Sequence, residues 1–518
     1  MLTDLGIAVS LLLSPTALML AALGCLLGIV VGAIPGLTGA MLIALALPMT
    51  YSIRSEYALV LLIAMYVGSV SGGLVTATLL RMPGTPASMM TTLDGYPMAR
   101  RGQSGRALAL GIGSSFVGGM VSWFFLLCLA GPMAVWSLSF GPFEFFALVV
   151  VAMVLITSVG GKSISLGLLS GAVGVLLAMP GALPATGTPR LTFGFAEMDD
   201  GFKLLPVLIG LFAVNQVIRQ IWQADPPAER IAELVTDDEG DSQVIDSDRL
   251  DFRSPDIVRH GWNLLRSSLI GTWIGILPGI GANVGSVIAY SAAKRASSEP
   301  EAFGHGSEEG IVASETANNA TIGGALIPLV AMGIPGSVID AILLGALVIH
   351  GLQPGPMLLQ SDPLAVQTIV GTMLIANLMT LGFLLVGVRL MVKAASVPNH
   401  ILMPIVMVFC VIGSYALANR MFDVWVMLAF GVLGYAMERW RIPLAPLVIG
   451  FVLGPIGEEH LSEGLMQSGG SLMPMITRPI SLILCVVAAA MLGWTLRARF
   501  QKTQSLSADN SPADSTDA

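Results

Sequence analysis

Apolar runs close to 20 residues long recur from one end of this chain to the other, which is the length a helix needs to cross a bilayer. That recurrence constrains the fold more than any motif. The 518 residues are 54% hydrophobic and 11% charged, with a mean hydropathy of +0.81. Soluble domains carry about a quarter charged residues, so the reading of length alone, about three soluble domains, gives way. Soluble, nucleic-acid-binding, collagen-like and disordered classes are excluded. The expectation is an all-α polytopic membrane protein.

Candidate spans lie near 7–33, 57–80, 107–130, 142–158, 164–180 and 203–222, then 263–290, 311–333, 366–392, 401–416, 421–437, 442–455 and 477–496. Ala40–Pro48 and Val338–Ile349 are too short to span and suit half-helices or re-entrant hairpins. The expected total is about 12 helices. Residues Met1 to Asp4 supply no basic leader, so the first apolar stretch is expected to stay as a spanning helix.

The net charge of −8 is local. Between Gln223 and Phe252, ten acidic side chains face only Arg230 and Arg249, which accounts for the whole balance. This reads as a solvated linker and says little about substrate charge. The chain therefore divides into 1–222, an acidic hydrophilic linker 223–260, a second membrane segment 261–502, and a disordered tail 503–518. Cys25, Cys128, Cys410 and Cys485 are scattered singly in apolar runs, as are the five histidines, so redox and metal chemistry are not expected.

The two halves repeat. Gly32-Ala33-Ile34-Pro35-Gly36-Leu37 matches Gly275-Ile276-Leu277-Pro278-Gly279-Ile280. Gly72-Gly73 followed by Met82-Pro83-Gly84-Thr85 matches Gly323-Gly324 followed by Ile334-Pro335-Gly336-Ser337. Arg81, Arg100, Arg101 and Arg106 surround the second motif in the first half, whereas no Lys or Arg occurs from Ala296 to Val388. Basic loops stay cytoplasmic, so equivalent regions are expected on opposite sides, as inverted repeats. Arg253, Arg259 and Arg266 place the linker on the cytoplasmic side, and Arg497, Arg499 and Lys502 place the C-terminus there.

Pro-Gly inside an apolar helix frees backbone carbonyls that lipid cannot satisfy, so such breaks line protein or a watery cavity. Paired broken helices are how secondary transporters build sites: half-helix N-termini face anions and unwound carbonyls hold cations. The candidate substrate positions are Pro35, Gly36, Leu37, Thr38 and Gly39, with Asn283 after the matching break. Ser314, Asn318 and Thr321 share one helix face, with Glu315 and Asn319 on the next stripe. Such a polar face lines a cavity or makes interhelical hydrogen bonds. Thr85 and Ser337 follow the second breaks, where they cap a helix, line the site, or both. Thr38, Asn283, Glu315 and Asp340 are the candidates for cation coupling, Asp340 being equally readable as an interfacial aspartate. Arg81 either neutralises a substrate carboxylate or snorkels to the interface.

Three patterns carry no chemistry. Gly161-Lys162-Ser163 lacks the upstream glycine of a P-loop, the glycines after Gly279 have the wrong spacing for a dinucleotide fingerprint, and Glu459, His460 and Glu463 read as a solvated loop.

At the Pro-Gly motifs the chain resembles the large membrane subunit of the tripartite tricarboxylate transporter family. The resemblance rests on Gly32 to Ala40, Arg81-Met82-Pro83-Gly84-Thr85-Pro86 and Leu277 to Asn283. It extends through Glu315 to Ala320, Gly333 to Ser337, and His350-Gly351-Leu352-Gln353-Pro354-Gly355-Pro356. It implies a bacterial inner-membrane permease working with a small membrane subunit and a periplasmic solute-binding protein. The implied cargo is a di- or tricarboxylate such as citrate, driven by Na⁺ or H⁺ as coupling ion, most often Na⁺, with no other cofactor, and with a homodimer of the complex as an option. The paired breaks themselves suggest an elevator-like movement. The rival readings are a passive anion channel, which would conduct without saturation, and an intramembrane enzyme, which the scattered His, Cys and Asp do not support.

Overall fold

The computed structural model describes residues 2–34, 36–159, 164–183, 186–222, 250–251, 255–395, 399–416 and 418–493. The described chain is helical except for a two-residue hairpin. In the first half the helices are α1 (Leu2–Leu12), α2 (Pro15–Ala33), α3 (Gly39–Thr50), α4 (Ser55–Leu80), α5 (Met89–Arg100), α6 (Ser104–Ser137), α7 (Pro142–Val159) and α8 (Ile164–Ala178). The hairpin pairs β1 (Gly181–Ala182) with β2 (Pro189–Arg190), and α9 (Leu204–Trp222) follows, with a π-helical turn at Ile209–Val214.

The second half supplies α10 (Gly261–Ile276), α11 (Gly281–Ala296), α12 (Glu308–Met332), α13 (Val338–Ile349), α14 (Pro363–Ala395), α15 (Asn399–Ala416), α16 (Met421–Arg439), α17 (Leu444–Gln467) and α18 (Pro479–Gly493). Seven of these helices are long and apolar enough to cross a membrane, and six shorter apolar ones accompany them. The chain is an all-α, multi-pass membrane protein.

Two expected spans are split. The stretch 7–33 is two helices, because Ser14 caps the second (its Oγ accepts from the Ala17 amide at 3.3 Å) and Pro15 starts it. The stretch 263–290 breaks at Pro278-Gly279, giving α10 and α11. Of the linker 223–260, only residues 250–251 and 255–260 are described. The tail 503–518 and Gly161 to Ser163 lie outside the described residues.

Each half runs helix, break, short helix, long buried helix, break, short helix, long helix: α2 to α6, then α10 to α14. Close contacts show the direction of each element. Thr91 on α5 meets Ser314, and Asp94 one turn later meets the loop just before α12, so α5 and α12 are antiparallel. Gly73 lies against Thr85 and Ser88 while Gly95 lies against Thr78, so α4 and α5 are parallel. The two long central helices α4 and α12 therefore run in opposite directions, and the halves are inverted.

The halves interlock crosswise: α12 packs against α6, and α4 against α14. Glycine makes the tightest approaches. A Cβ on Gly24 or Gly28 would meet the α4 backbone, and one on Gly275 would meet α12, which is how helices pack closely without a hydrophobic driving force. Helices α7 to α9 and α15 to α17 form a second group beside this core. Within it α8 and α7 pack on α17, and α9 packs on α16.

Candidate functional site

The first break of each half ends a helix and starts a short one. Gly36 (φ +91°) is exposed, with the Gln216 and Gln220 side-chain amides of α9 beside it. Thr38 then caps α3, its Oγ1 accepting from the Met41 amide at 3.2 Å, and Leu37 is buried. Pro35 lies outside the described residues. In the second half, Gly279 (φ +74°) and Gly281 (φ +71°) make the corresponding turn, and α11 starts with no side-chain cap. Asn283 in its first turn is exposed.

The second breaks fold back onto the first. Gly84 packs on the Gly32 carbonyl and Gly336 on the Gly275 carbonyl. The Gly279 amide donates to the Gly336 carbonyl at 2.8 Å. Thr85 Oγ1 and Ser88 Oγ share a hydrogen bond of 2.9 Å, and Ser337 Oγ accepts from the Asp340 amide at 3.4 Å, capping α13.

The halves then meet. Gly39 at the start of α3 lies against Ser69 and Ile339, Gly281 lies against Ser337, and the Pro86–Ser88 turn packs on α11. The starts of four short segments, marked by Thr38, Thr85, Gly281 and Ser337, therefore converge. The starts of α3, α11 and α13 each carry the positive end of a helix dipole.

Behind this convergence lies a sealed polar layer on α12. Thr91 donates to Glu315 Oε1, and Ser115 donates to Glu315 Oε2 at 3.2 Å. Ser314 pairs with Thr91 at 3.2 Å, and its carbonyl accepts from Ser286. Asn319 Oδ1 accepts from Ser71 at 2.7 Å, and Thr321 donates to the Asn318 carbonyl at 2.6 Å. Ser314, Glu315, Asn318, Asn319 and Thr321 are all buried, and Glu315 meets hydroxyls rather than an arginine.

Several buried polar side chains lack a well-formed hydrogen bond, Thr76, Thr78 and Thr316 among them, and two are candidate site residues. Neither side-chain atom of Asn318 and neither carboxylate oxygen of Asp340 has one, although Glu315 adjoins Asn318 and the Tyr66 phenol and the Ser337 hydroxyl adjoin Asp340. A fully buried polar group without a partner costs on the order of 1–3 kcal/mol, and such groups mark places where something else binds.

Sequence reasoning missed the partners contributed by other helices: Tyr66, Ser71, Thr91, Ser115 and Ser286. Tyr66, Ser69 and Ser71 are polar points in an otherwise apolar run, a signal of the same kind as the α12 cluster. It also missed Asp94, whose buried carboxylate accepts from the Gly304, Gly306 and Ser307 amides at 2.8–2.9 Å and from the Tyr290 hydroxyl. That contact ties α5 to α11 and to the loop before α12. Arg106 does similar work at the end of α6, gripping Asp256 with two nitrogens and Glu308 at 2.9 Å. Glu459, His460 and Glu463 lie on helix α17 rather than in a loop, and His460 stacks on Phe145.

Inverted halves whose paired breaks meet between them define a multi-pass membrane protein. A family model matches residues 18–449, and the chain belongs to that family: the tripartite tricarboxylate transporter TctA family. This is a transporter family, so the chain is a subunit of a transport system. Among similar proteins is one from Agrobacterium vitis described as an uncharacterized 52.8 kDa protein in the TAR-I ttuC' 3' region, 34% identical over 493 residues, covering 95% of each chain. Another from the same organism, an uncharacterized protein in the TAR-II ttuC' 3' region, is 37% identical over 225 residues, covering 42% of this chain and 93% of that one. No solved structure matches.

Proposed function

We propose that this chain is the permease subunit of a binding-protein-dependent secondary transporter, importing di- or tricarboxylates of the citrate kind on a cation gradient, Na⁺ in the first instance. It works with a small membrane subunit and a periplasmic solute-binding protein in the bacterial inner membrane, residues 1–222 and 261–502 serving as the two repeats. The face carrying Arg100, Arg101, Arg106, Lys294 and Arg295 is cytoplasmic under the positive-inside rule.

The observation that carries this reading is the convergence of four segment starts, two of which, the Pro86–Ser88 turn and α11, have no side-chain cap. Free amides at a helix start suit a carboxylate. The substrate is held by the backbone at Gly36, Leu37 and Gly39 with Thr38, by Thr85, Asn283 and Ser337, and by the α12 face of Ser314, Asn318, Asn319 and Thr321. The coupling cation is held by Asp340 with support from Thr38, Asn283 and Glu315. A buried carboxylate lacking a cation partner is costly unless an ion or proton joins it.

The test is uptake of labelled carboxylates into proteoliposomes holding the chain, its small subunit and its binding protein, with and without an inward Na⁺ gradient at fixed pH. Saturable, Na⁺-requiring uptake that falls in Asn283→Ala supports the reading. Uptake that ignores Na⁺ and follows a pH gradient replaces the ion and keeps the carrier. Non-saturable flux under every gradient overturns it in favour of a channel.

A further inference from the structure

The loop between α8 and α9 does something the transport path does not require. Between β2 and α9 it forms a tight turn in which the Phe195 amide donates to the Thr192 carbonyl at 2.9 Å. Both central residues are left-handed, Phe193 at φ +50° and Gly194 at φ +81°. Turns of this kind favour Asn-Gly, because a short polar side chain tolerates positive φ and a bulky one is strained there. Leu191 is left-handed as well, at φ +50°.

The large apolar side chains of this loop point outward. Leu191 is 47% exposed, Phe193 76% and Phe195 60%. Most large exposed apolar side chains lie along helices, whereas these three, like Leu472 and Met473, lie on a non-helical loop. The loop is also held stiffly. Arg190 donates to the Met179 carbonyl at 2.7 Å and grips Glu458 of α17 with two nitrogens. Met198 is buried beneath the turn, and Arg420 reaches Asp200 at 3.5 Å and the Glu197 carbonyl at 3.3 Å. Because α9 crosses once between this loop and the linker, the loop lies on the face opposite the basic one.

We propose that Leu191, Phe193 and Phe195 form the docking knob for the soluble protein that delivers substrate, a partner presenting an apolar pocket with a basic rim. Rigid aromatic side chains on a preorganised backbone are what protein interfaces use as anchors, since little entropy remains to be lost. Asp200 is paired with Lys203 at 3.3 Å and with Arg420, and the neighbouring acids Glu197 and Asp199 argue for a protein and against a lipid surface, where Trp and Tyr rather than acids flank the anchors. The proposal rests on the binding-protein dependence proposed above.

The experiment measures uptake into proteoliposomes, containing the chain and its small subunit, against the concentration of the binding protein that restores uptake. The double variant Phe193→Asn with Phe195→Ala keeps Arg190–Glu458 and relieves the turn, so it folds at least as well as the parent, which a thermal melt checks. Its half-saturating concentration of binding protein rises about tenfold or more, with maximal uptake unchanged. An unchanged half-saturation in a folded variant overturns the docking knob and leaves binding-protein dependence standing. Parent uptake that ignores the binding protein overturns both, and the two failures are told apart by the parent alone. A benzoylphenylalanine placed at position 193 joins covalently to that binding protein on irradiation; adducts to lipid alone instead assign the knob to the membrane and overturn the proposal.

Discussion

The four short helices that frame the site are two repeat-related pairs, and the pairs do not have the same surroundings. On one side α3 and α13 pack on each other and on α9, α15 and α17, and their faces are almost wholly buried. On the other side α5 and α11 are tied to the core through Asp94 and Tyr290 but make no comparable packing against α7 to α9 or α15 to α17. Met89, Leu93, Val287 and Ile288 are exposed there. A pseudo-symmetric core thus sits asymmetrically against its neighbours, one pair buried among α9, α15 and α17 and the other carrying exposed apolar side chains. Under the transport reading this is one of the two arrangements that alternate access needs, and each pair can be perturbed separately.

The largest effect belongs to the one charged residue that breaks the symmetry inside the site. Asp340 on α13 corresponds to Ser88 before α5, so at this position only the buried pair carries a carboxylate. Asp340→Asn lowers Na⁺-driven uptake by about 100-fold and flattens its dependence on Na⁺. Because the carboxylate is buried without a well-formed hydrogen bond, removing its charge leaves the thermal midpoint unchanged or higher. Uptake near the parent level moves the coupling ion elsewhere; a collapsed midpoint makes Asp340 structural.

The second effect tests the exposure itself. Val287 on α11, 44% exposed, corresponds to Ala44 on α3, which is fully buried. In a cysteine-free background, Val287→Cys reacts with a membrane-impermeant maleimide at least about 100-fold faster than Ala44→Cys. Equal rates would erase the distinction between the pairs. An intermediate effect comes from packing: a Cβ on Gly39 meets Ser69 and Ile339 closely, whereas one on Gly281 makes only an ordinary 4.0 Å contact with Ser337 and has its φ of +71° to resist it. Gly39→Ala is expected to cost about 1–3 kcal/mol and Gly281→Ala about 1–2 kcal/mol, read from thermal melts in detergent, with the order as the test.

Much of this was legible beforehand, for physical reasons that can be named. The class followed from apolar run lengths, because lipid leaves few alternatives to helices. Val338–Ile349 was recognised as a half-helix because both its ends are marked, by Pro335-Gly336 and by His350-Gly351. The short α3 was seen for the same reason. The segment 263–290 was drawn as one span although Pro278-Gly279 had been noted, since hydropathy does not register a break that stays apolar. Inside the site, the α12 residues announced themselves as a polar stripe in an apolar helix. Which of their polar atoms find partners did not, because Ser71, Thr91 and Ser115 come from α4, α5 and α6, and their meeting depends on glycine-mediated packing between halves. The asymmetry of the two pairs was invisible for a related reason: a repeat in sequence specifies equivalent elements, not equivalent neighbours.

The smallest effect concerns the residue that follows the two long central helices. Helix α12 ends at Gly333, left-handed at φ +70°, and α4 ends at Arg81, left-handed at φ +54°. Glycine takes that conformation freely, whereas arginine resists it by about 1–2 kcal/mol. The Arg81 guanidinium stands 5.7 Å from the Tyr96 ring, a contact worth about 0.5–1 kcal/mol at an exposed site. Arg81→Gly removes the backbone strain and that contact together, and glycine's freedom in the unfolded chain offsets part of the gain. The net change in stability is therefore under about 1 kcal/mol. Uptake then decides what a near-neutral melt cannot. A raised KM for the carboxylate with maximal rate intact assigns the strained cation to substrate entry beside the exposed pair. Unchanged kinetics assign it to the interface, where its charge reaches the headgroups and the strain is only the residue of an arginine standing where the other half has glycine.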